Sequence, residues 1–308
     1  MPDDAPAGDG RFRQPLEVAL QLARGFTMGS ADLIPGVSGG TMALLFGIYE
    51  HLVATIKDGA AVLGRAVRGD VRTAARRIGR VDWWFLVPLL AGILAAIVTL
   101  AGVVGELLDE RPVTMSGLFF GLIVGAVVVT FLDIERRDPT RALVAVAAAV
   151  VTFLLLGIRS AAVHDPSLLV AFGAGAVAIC AMILPGISGA FILLLLGVYR
   201  AAIGAVDGRD LVLVGAFGLG AVVGLASFST ALHWLLRRYH DTVVAALVGL
   251  MAGSLRVLWP WPTDPTLGVG DVRLGAPVSG EVPATLGATL AGLVLLLLLA
   301  WAGRLREA

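Results

Sequence analysis

The chain has 308 residues, of which 58% are hydrophobic and 15% charged, and its mean hydropathy is +0.91. A soluble domain carries about a quarter of its residues as charges, and a net charge of +0 supplies no basic field for nucleic acid. Composition therefore excludes a soluble enzyme or a nucleic-acid-binding module, and the single cysteine, Cys180, can form neither an internal disulfide nor a metal cluster. A polytopic membrane protein remains, with membrane lipids as its surroundings and no metal or cofactor expected.

In chain order, the first fifteen residues (MPDDAPAGDGRFRQP) are polar and lack the apolar run and small-residue cleavage site of a signal peptide. The next segment, LEVALQLARGFTMGSADLI, carries Glu17, Gln21, Arg24 and Asp32 and is too polar to face lipid. Pro35 and Gly36 break it, and the chain then resumes as a helix over 41–56. A basic stretch, 57–82, holds Lys57, Arg65, Arg68, Arg72, Arg76, Arg77 and Arg80. Spanning segments of about 20 apolar residues are predicted at 83–105, 113–132, 141–158, 211–235, 242–258 and 285–303. A second Pro-Gly break, Pro185-Gly186, feeds a helix over 189–206. Lipid leaves a bare backbone unsatisfied, so the spans are expected to be helices.

Lys and Arg collect on cytoplasmic loops. Placing 57–82, 133–141 and 237–241 inside, together with both termini, makes the basic clusters consistent. The acidic turn 106–111 and the Trp/Pro-rich 259–284 loop then fall outside. Trp83, Trp84, Trp234, Trp259, Trp261 and Trp301 lie near predicted span ends, as an interfacial aromatic belt requires.

Self-similarity carries more information than hydropathy. Residues 27–56 align without gaps to 177–206, so that Pro35, Gly36, Ser38, Gly39, Gly47 and Tyr49 fall on Pro185, Gly186, Ser188, Gly189, Gly197 and Tyr199. The likeness continues downstream, where Asp82 falls on Asp210, Gly92 on Gly220, Gly121 on Gly249 and Gly125 on Gly253. The expected architecture is one all-α integral membrane domain over 1–308. Repeat 1 covers about 14–134, a linker helix 141–158, repeat 2 about 167–260, and a C-terminal helix 285–303. Counting crossings, the extra helix between the copies makes the second repeat upside down relative to the first. Inverted repeats with discontinuous helices meeting near the midplane are a transporter architecture. Each copy is expected to hold a re-entrant hairpin with a PGxSG tip and two transmembrane helices.

Each tip leads into a helix whose first N–H groups lack internal partners, and the positive end of the helix dipole favours an anion there. The backbone of Gly39, Gly40 and Gly189 and the hydroxyls of Ser38, Thr41 and Ser188 are the candidate donors to a phosphate or carboxylate. The structural alternative is that these hydroxyls bond backbone and the Pro-Gly pairs are simple breaks. Arg24 and Asp32 are the intramembrane ionisable residues, a class that is costly and functional by default. Arg24 could bind phosphate or neutralise Asp32, and Asp32 could carry a coupling proton. Glu50 lies about 15 Å past the tip along a helix, at the cytoplasmic interface, as a second ionisable candidate. In the second copy Asp32 becomes Met182, Thr41 becomes Phe191 and Glu50 becomes Arg200, which weights the polar chemistry to the first tip. Glycines at four-residue spacing (Gly117/Gly121/Gly125, Gly220/Gly224, Gly249/Gly253) read as helix-packing surfaces.

RGFTMGSADLIPGVSGGTMALLFGIYE and ILPGISGAFILLLLGVY together resemble the paired signatures of the polyprenyl-phosphate transporter family of bacterial and archaeal membrane proteins. The resemblance covers about 15–305. It implies a plasma-membrane protein that returns undecaprenyl phosphate, or a related polyprenyl phosphate, from the outer to the cytoplasmic leaflet for reuse in envelope biogenesis. The motif positions it carries over are Arg24, Asp32, Pro35, Gly36, Ser38, Gly39, Gly40, Thr41, Glu50, Pro185, Gly186, Ser188 and Gly189. The partner implied is the polyprenyl phosphate lipid, with self-association left open. Two other readings compete. A membrane undecaprenyl-diphosphate phosphatase would need a catalytic acid or base beside the phosphate and a positive group for developing charge, and both tips here lack the arginine of its PGxSRSG-type motif. A small-anion transporter would need an aqueous path, and neither 83–105 nor 211–235 carries a polar stripe to supply one.

Overall fold

A computed structural model of the chain describes residues 15–33, 38–67, 69–134, 138–158, 163, 165–261 and 274–304. The tip residues Pro35 and Gly36, and the basic residues Arg68, Arg136, Arg137 and Arg306, lie outside them. The described residues form twelve helices and no sheet: α1 (Pro15–Asp32), α2 (Gly39–Leu45), α3 (Tyr49–Val67), α4 (Val71–Ile78), α5 (Trp83–Glu110), α6 (Pro112–Leu132), α7 (Pro139–Leu155), α8 (Leu168–Ile183), α9 (Gly189–Leu195), α10 (Tyr199–Asp207), α11 (Leu211–Ser254) and α12 (Val282–Arg304). Four of them, α5, α6, α11 and α12, are long and apolar enough to cross a membrane, and the pair α9–α10 passes the same test across a 112° bend. The chain is a multi-pass, all-helical membrane protein.

Three expectations are corrected. The helices expected over 41–56 and 189–206 are each broken, at Gly47 (φ 66) and Gly197 (φ 74), where the left-handed backbone cannot continue a right-handed helix. The spans 211–235 and 242–258 fall in α11 as two helical segments that meet at non-helical backbone at Tyr239 (φ −137, ψ 44), so a one-residue break stands where a basic loop is expected between them. The basic loop 57–82 is likewise largely helical, because α3 and α4 pack as a hairpin. Asp70 caps α4 by accepting from the Thr73 N–H at 3.2 Å.

Packing follows the small residues. Between helices in lipid there is no hydrophobic drive to associate, so close van der Waals approach decides which faces meet. α1 lies on α5, and α8 on the first half of α11. A Cβ at Gly25 would collide with the Leu89 carbonyl, and one at Gly175 with the Phe217 carbonyl. Gly92 similarly abuts Leu22, and Gly220 abuts Phe172. α12 lies on α6, where Gly121 meets the Thr289 carbonyl, and α7 lies on the second half of α11, where Gly249 meets the Ala145 carbonyl. Thus α7, expected only as a linker, seats on the last long helix of the second half, and α12 seats on α6 of the first.

Local backbone also recurs at positions the sequence alignment pairs. Asp82 (φ −76, ψ 82) caps α5 and Asp210 (φ −74, ψ 86) caps α11, each carboxylate accepting the N–H three residues on. Arg111 (φ −138, ψ 56) interrupts α5–α6 with nearly the dihedrals of the Tyr239 kink. The buried core between these helices includes Tyr49, Leu89, Ile123, Leu247, Met251 and Leu296.

Candidate functional site

The two tip regions meet. α2 and the start of α3 lie against the turn between α8 and α9, and side chains from the first bond backbone of the second. Thr41, fully buried, accepts the Gly186 N–H at 3.1 Å through Oγ1. The Ser38 hydroxyl donates to the Met182 carbonyl at 3.4 Å, and the buried Tyr49 hydroxyl donates to the Ile183 carbonyl at 3.1 Å. Gly40 faces the Ile183 carbonyl so closely that a Cβ there would stand 2.9 Å from it. Gly186 has φ +84, and a side chain on it would also press on the Met251 backbone at 2.8 Å. Only glycine satisfies both conditions.

The first tip caps itself. Ser38 is the N-cap of α2 and accepts from the Gly40 N–H at 3.1 Å, while Asp32 Oδ1 accepts from the Gly39 N–H at 2.6 Å. A carboxylate therefore already occupies the positive end of α2, where the sequence suggests a substrate anion. Asp32 sits at the end of α1, and Arg24 lies eight residues earlier, about 12 Å along the same helix. Among the described residues the Gly39 amide is a partner of Asp32. Arg24 is half-buried on α1.

The second tip differs. Ser188 is the N-cap of α9 but makes no side-chain cap hydrogen bond, and it is half-buried. Met182 stands where Asp32 stands in the first half, half-exposed, with Gly189 packed on its side chain. Pro185 is fully buried. The structure thus gathers Ser38, Gly39, Gly40, Thr41, Asp32, Pro185, Gly186, Ser188 and Gly189 around one junction. The hydroxyls of Ser38 and Thr41 are engaged with backbone, as the structural alternative expects, and the Ser188 hydroxyl is the one left without a cap bond.

Glu50 is not at this junction. The break at Gly47 redirects the chain, and Glu50 opens α3 with Oε1 3.0 Å from His240 Nε2, beside the α11 kink. His240 Nδ1 lies 3.3 Å from Asp241, and Asp241 lies 3.8 Å from Arg141, which also pairs with Asp138 on the same side. This cluster was not legible in the sequence, because its members come from three separate helices with no common spacing. Tyr49 was legible in part: Gly-x-Tyr recurs in both halves, although the partner of the hydroxyl does not follow from that recurrence.

A family model described as VCA0040-like, undecaprenyl phosphate translocase-like, matches residues 28–269. A polyprenyl-phosphate transporter of Vibrio cholerae serotype O1 is 40% identical over 239 residues, covering 77% of this chain and 76% of the relative. A polyprenyl-phosphate transporter of Staphylococcus aureus is 29% identical over 258 residues, covering 78% of this chain and 86% of the relative. No solved structure matches the chain.

Proposed function

The chain belongs to the VCA0040-like, undecaprenyl phosphate translocase-like family, and from that membership we propose that it transports a polyprenyl phosphate across the plasma membrane. The direction is from the outer to the cytoplasmic leaflet, both termini are cytoplasmic, and the chain acts as a carrier with no catalytic step. The observation that supports this reading best is the Thr41–Gly186 bond, which joins the two PGxSG regions at one buried point. Two inverted repeats, each with a re-entrant tip, account for that meeting and for the caps, breaks and glycine contacts that recur at paired positions.

In this reading the phosphate is exchanged from water to amides and hydroxyls at the junction, with Arg24 as the cation, while the polyprenyl tail stays in lipid. Asp32 already sits on the Gly39 amide, so it serves as a built-in anion that holds the first tip when no phosphate is there. Its protonation or withdrawal would release that amide, which makes Asp32 the candidate coupling group. The buried, bonded state of Ser38 and Thr41 corresponds to an occluded conformer, in which the tips must part before the phosphate enters. Ser188 is the hydroxyl best prepared to donate without such a rearrangement.

The test is leaflet transfer of a fluorescent polyprenyl phosphate in proteoliposomes, with release of inorganic phosphate from the diphosphate assayed in parallel. Arg24→Ala and Ser188→Ala are compared with wild type at matched thermal stability. The expected result is protein-dependent transfer, weakened by both substitutions and without phosphate release. Phosphate release without transfer would replace the carrier reading by the phosphatase one.

A further inference from the structure

The α3–α4 hairpin does not lie flush on α11. Between them is a groove of about 720 Å³, away from the tip junction and lined on one side by Leu219, Val222, Val223 and Ala226 of α11. These residues recur at helical spacing along one stripe, and the first three are exposed. Ser227 and Thr230 extend the stripe, but their hydroxyls bond their own helix, to the Val223 carbonyl at 2.6 Å and the Ala226 carbonyl at 2.8 Å. The wall is therefore apolar in effect. The facing wall on α3 is Ala60, Ala61 and Gly64 with the exposed Leu63 beside them, and the three small residues leave a slot in place of an interdigitated seam.

The rim is positively charged. Arg65 and Arg77 both line the groove, Arg65 pairing with Asp70 at 3.7 Å. Among the described residues no carboxylate pairs with Arg77. Asp70 is held in place as the cap of α4, so it restrains Arg65 and leaves the pair with a net positive charge over the slot. α11 is long and apolar enough to cross a membrane, and in a bilayer its bare stripe would face lipid. An arginine rim directly beside that stripe selects a lipid whose head is a phosphate, since guanidinium meets phosphate oxygens in a forked, charge-assisted geometry. The slot lies between α3 and α11, with small side chains over most of its α3 wall, which suits one chain and not a pair.

We propose that this wedge is a lateral docking site for the polyprenyl phosphate, with its phosphate at Arg65 and Arg77 and its first isoprene units along α11. This rests on the transport reading above and adds to it a lateral place for the lipid, apart from the tip junction and beside the basic 57–82 segment. In lipid the slot gives the chain little hydrophobic gain over bulk membrane. Selectivity comes from the arginine rim, and the slot contributes fit.

The test uses the full chain in phosphatidylcholine nanodiscs and a polyprenyl phosphate carrying a photoreactive group in its first isoprene units, with labelled peptides mapped by mass spectrometry. Labelling is expected within 219–230 and 60–64, competed by unlabelled polyprenyl phosphate and not by the same amount of phosphatidylglycerol. Arg77→Ala is expected to weaken labelling about tenfold, the effect of losing a hydrogen bond to a charged group. Gly64→Phe puts a ring into the slot from a position where a Cβ has nothing within 4 Å, and it should abolish labelling while leaving the melting temperature unchanged. Equal competition by phosphatidylglycerol would overturn the proposal in favour of a general anionic-lipid site. So would absence of label from the wedge in protein that transfers the lipid between leaflets. Label in the wedge of protein that transfers nothing would uphold the docking site and sink the transport reading instead.

Discussion

Thr41 and Gly186, 145 residues apart in the chain, are joined by one hydrogen bond in which the Gly186 N–H donates to Thr41 Oγ1 at 3.1 Å. Thr41 is fully buried, so the bond is shielded from water and the donor has no ready substitute. It ties the turn of the second tip to the first helix of the other. Any motion that parts the tips must break it.

Replacing Thr41 by Val keeps the shape and removes the acceptor. The Gly186 amide is then buried and unpaired, at a cost of about 1–3 kcal/mol. Thermal unfolding in detergent should show that loss, and Thr41→Ser should recover most of it. A Thr41→Val protein as stable as wild type would mean that the bond is not held in the membrane-embedded state.

Tyr49→Phe removes the donor to the Ile183 carbonyl and nothing else. A carbonyl tolerates loss of one partner better than an amide does, so the expected cost is smaller, about 1 kcal/mol. The two variants together test whether the junction acts as one unit. The double mutant should fall short of the sum of the singles if breaking either bond already loosens the tips.

Asp32→Asn preserves an oxygen that can accept the Gly39 N–H while removing the charge. Stability should stay within about 1 kcal/mol of wild type, whereas Asp32→Ala should destabilise by an amount typical of a lost helix cap, about 0.5–2 kcal/mol. Leaflet transfer separates the roles. If Asp32 is the coupling group, Asp32→Asn transfers poorly despite its stability, and if it is only a cap, Asp32→Asn transfers normally.

Gly121→Leu places a side chain where the Thr289 carbonyl of α12 lies, and Gly220→Leu does the same against Phe172 of α8. Each should cost at least the 1–3 kcal/mol typical of overpacking, because backbone on the opposite helix cannot rotate away. Gly102→Leu, where a Cβ meets nothing within 4 Å, is the control and should leave the unfolding temperature in place.

Much of this protein is local information and was therefore present in the sequence. Apolar runs near 20 residues specify spanning helices wherever they occur, and α5, α6 and α12 start and end close to their predicted limits. Pairing Asp82 with Asp210 and Gly92 with Gly220 needed only the chain read against itself, and each pair has the same cap or the same close approach in space. The breaks at Gly47 and Gly197 were less visible, because a glycine in an apolar run reads equally as packing surface or hinge until its φ is known. Partner choice belonged to the tertiary structure alone. That α7 seats on α11 and α12 on α6 does not follow from hydropathy, since lipid is as apolar as any helix and only shape distinguishes one apolar neighbour from another. The same holds at the junction. Sequence marked Ser38, Thr41 and Asp32 as donors and charges, but only the fold brought Met182, Gly186 and Gly39 within 3.4 Å of them, and hydrogen bonds of that length are decided by distance, not by residue type.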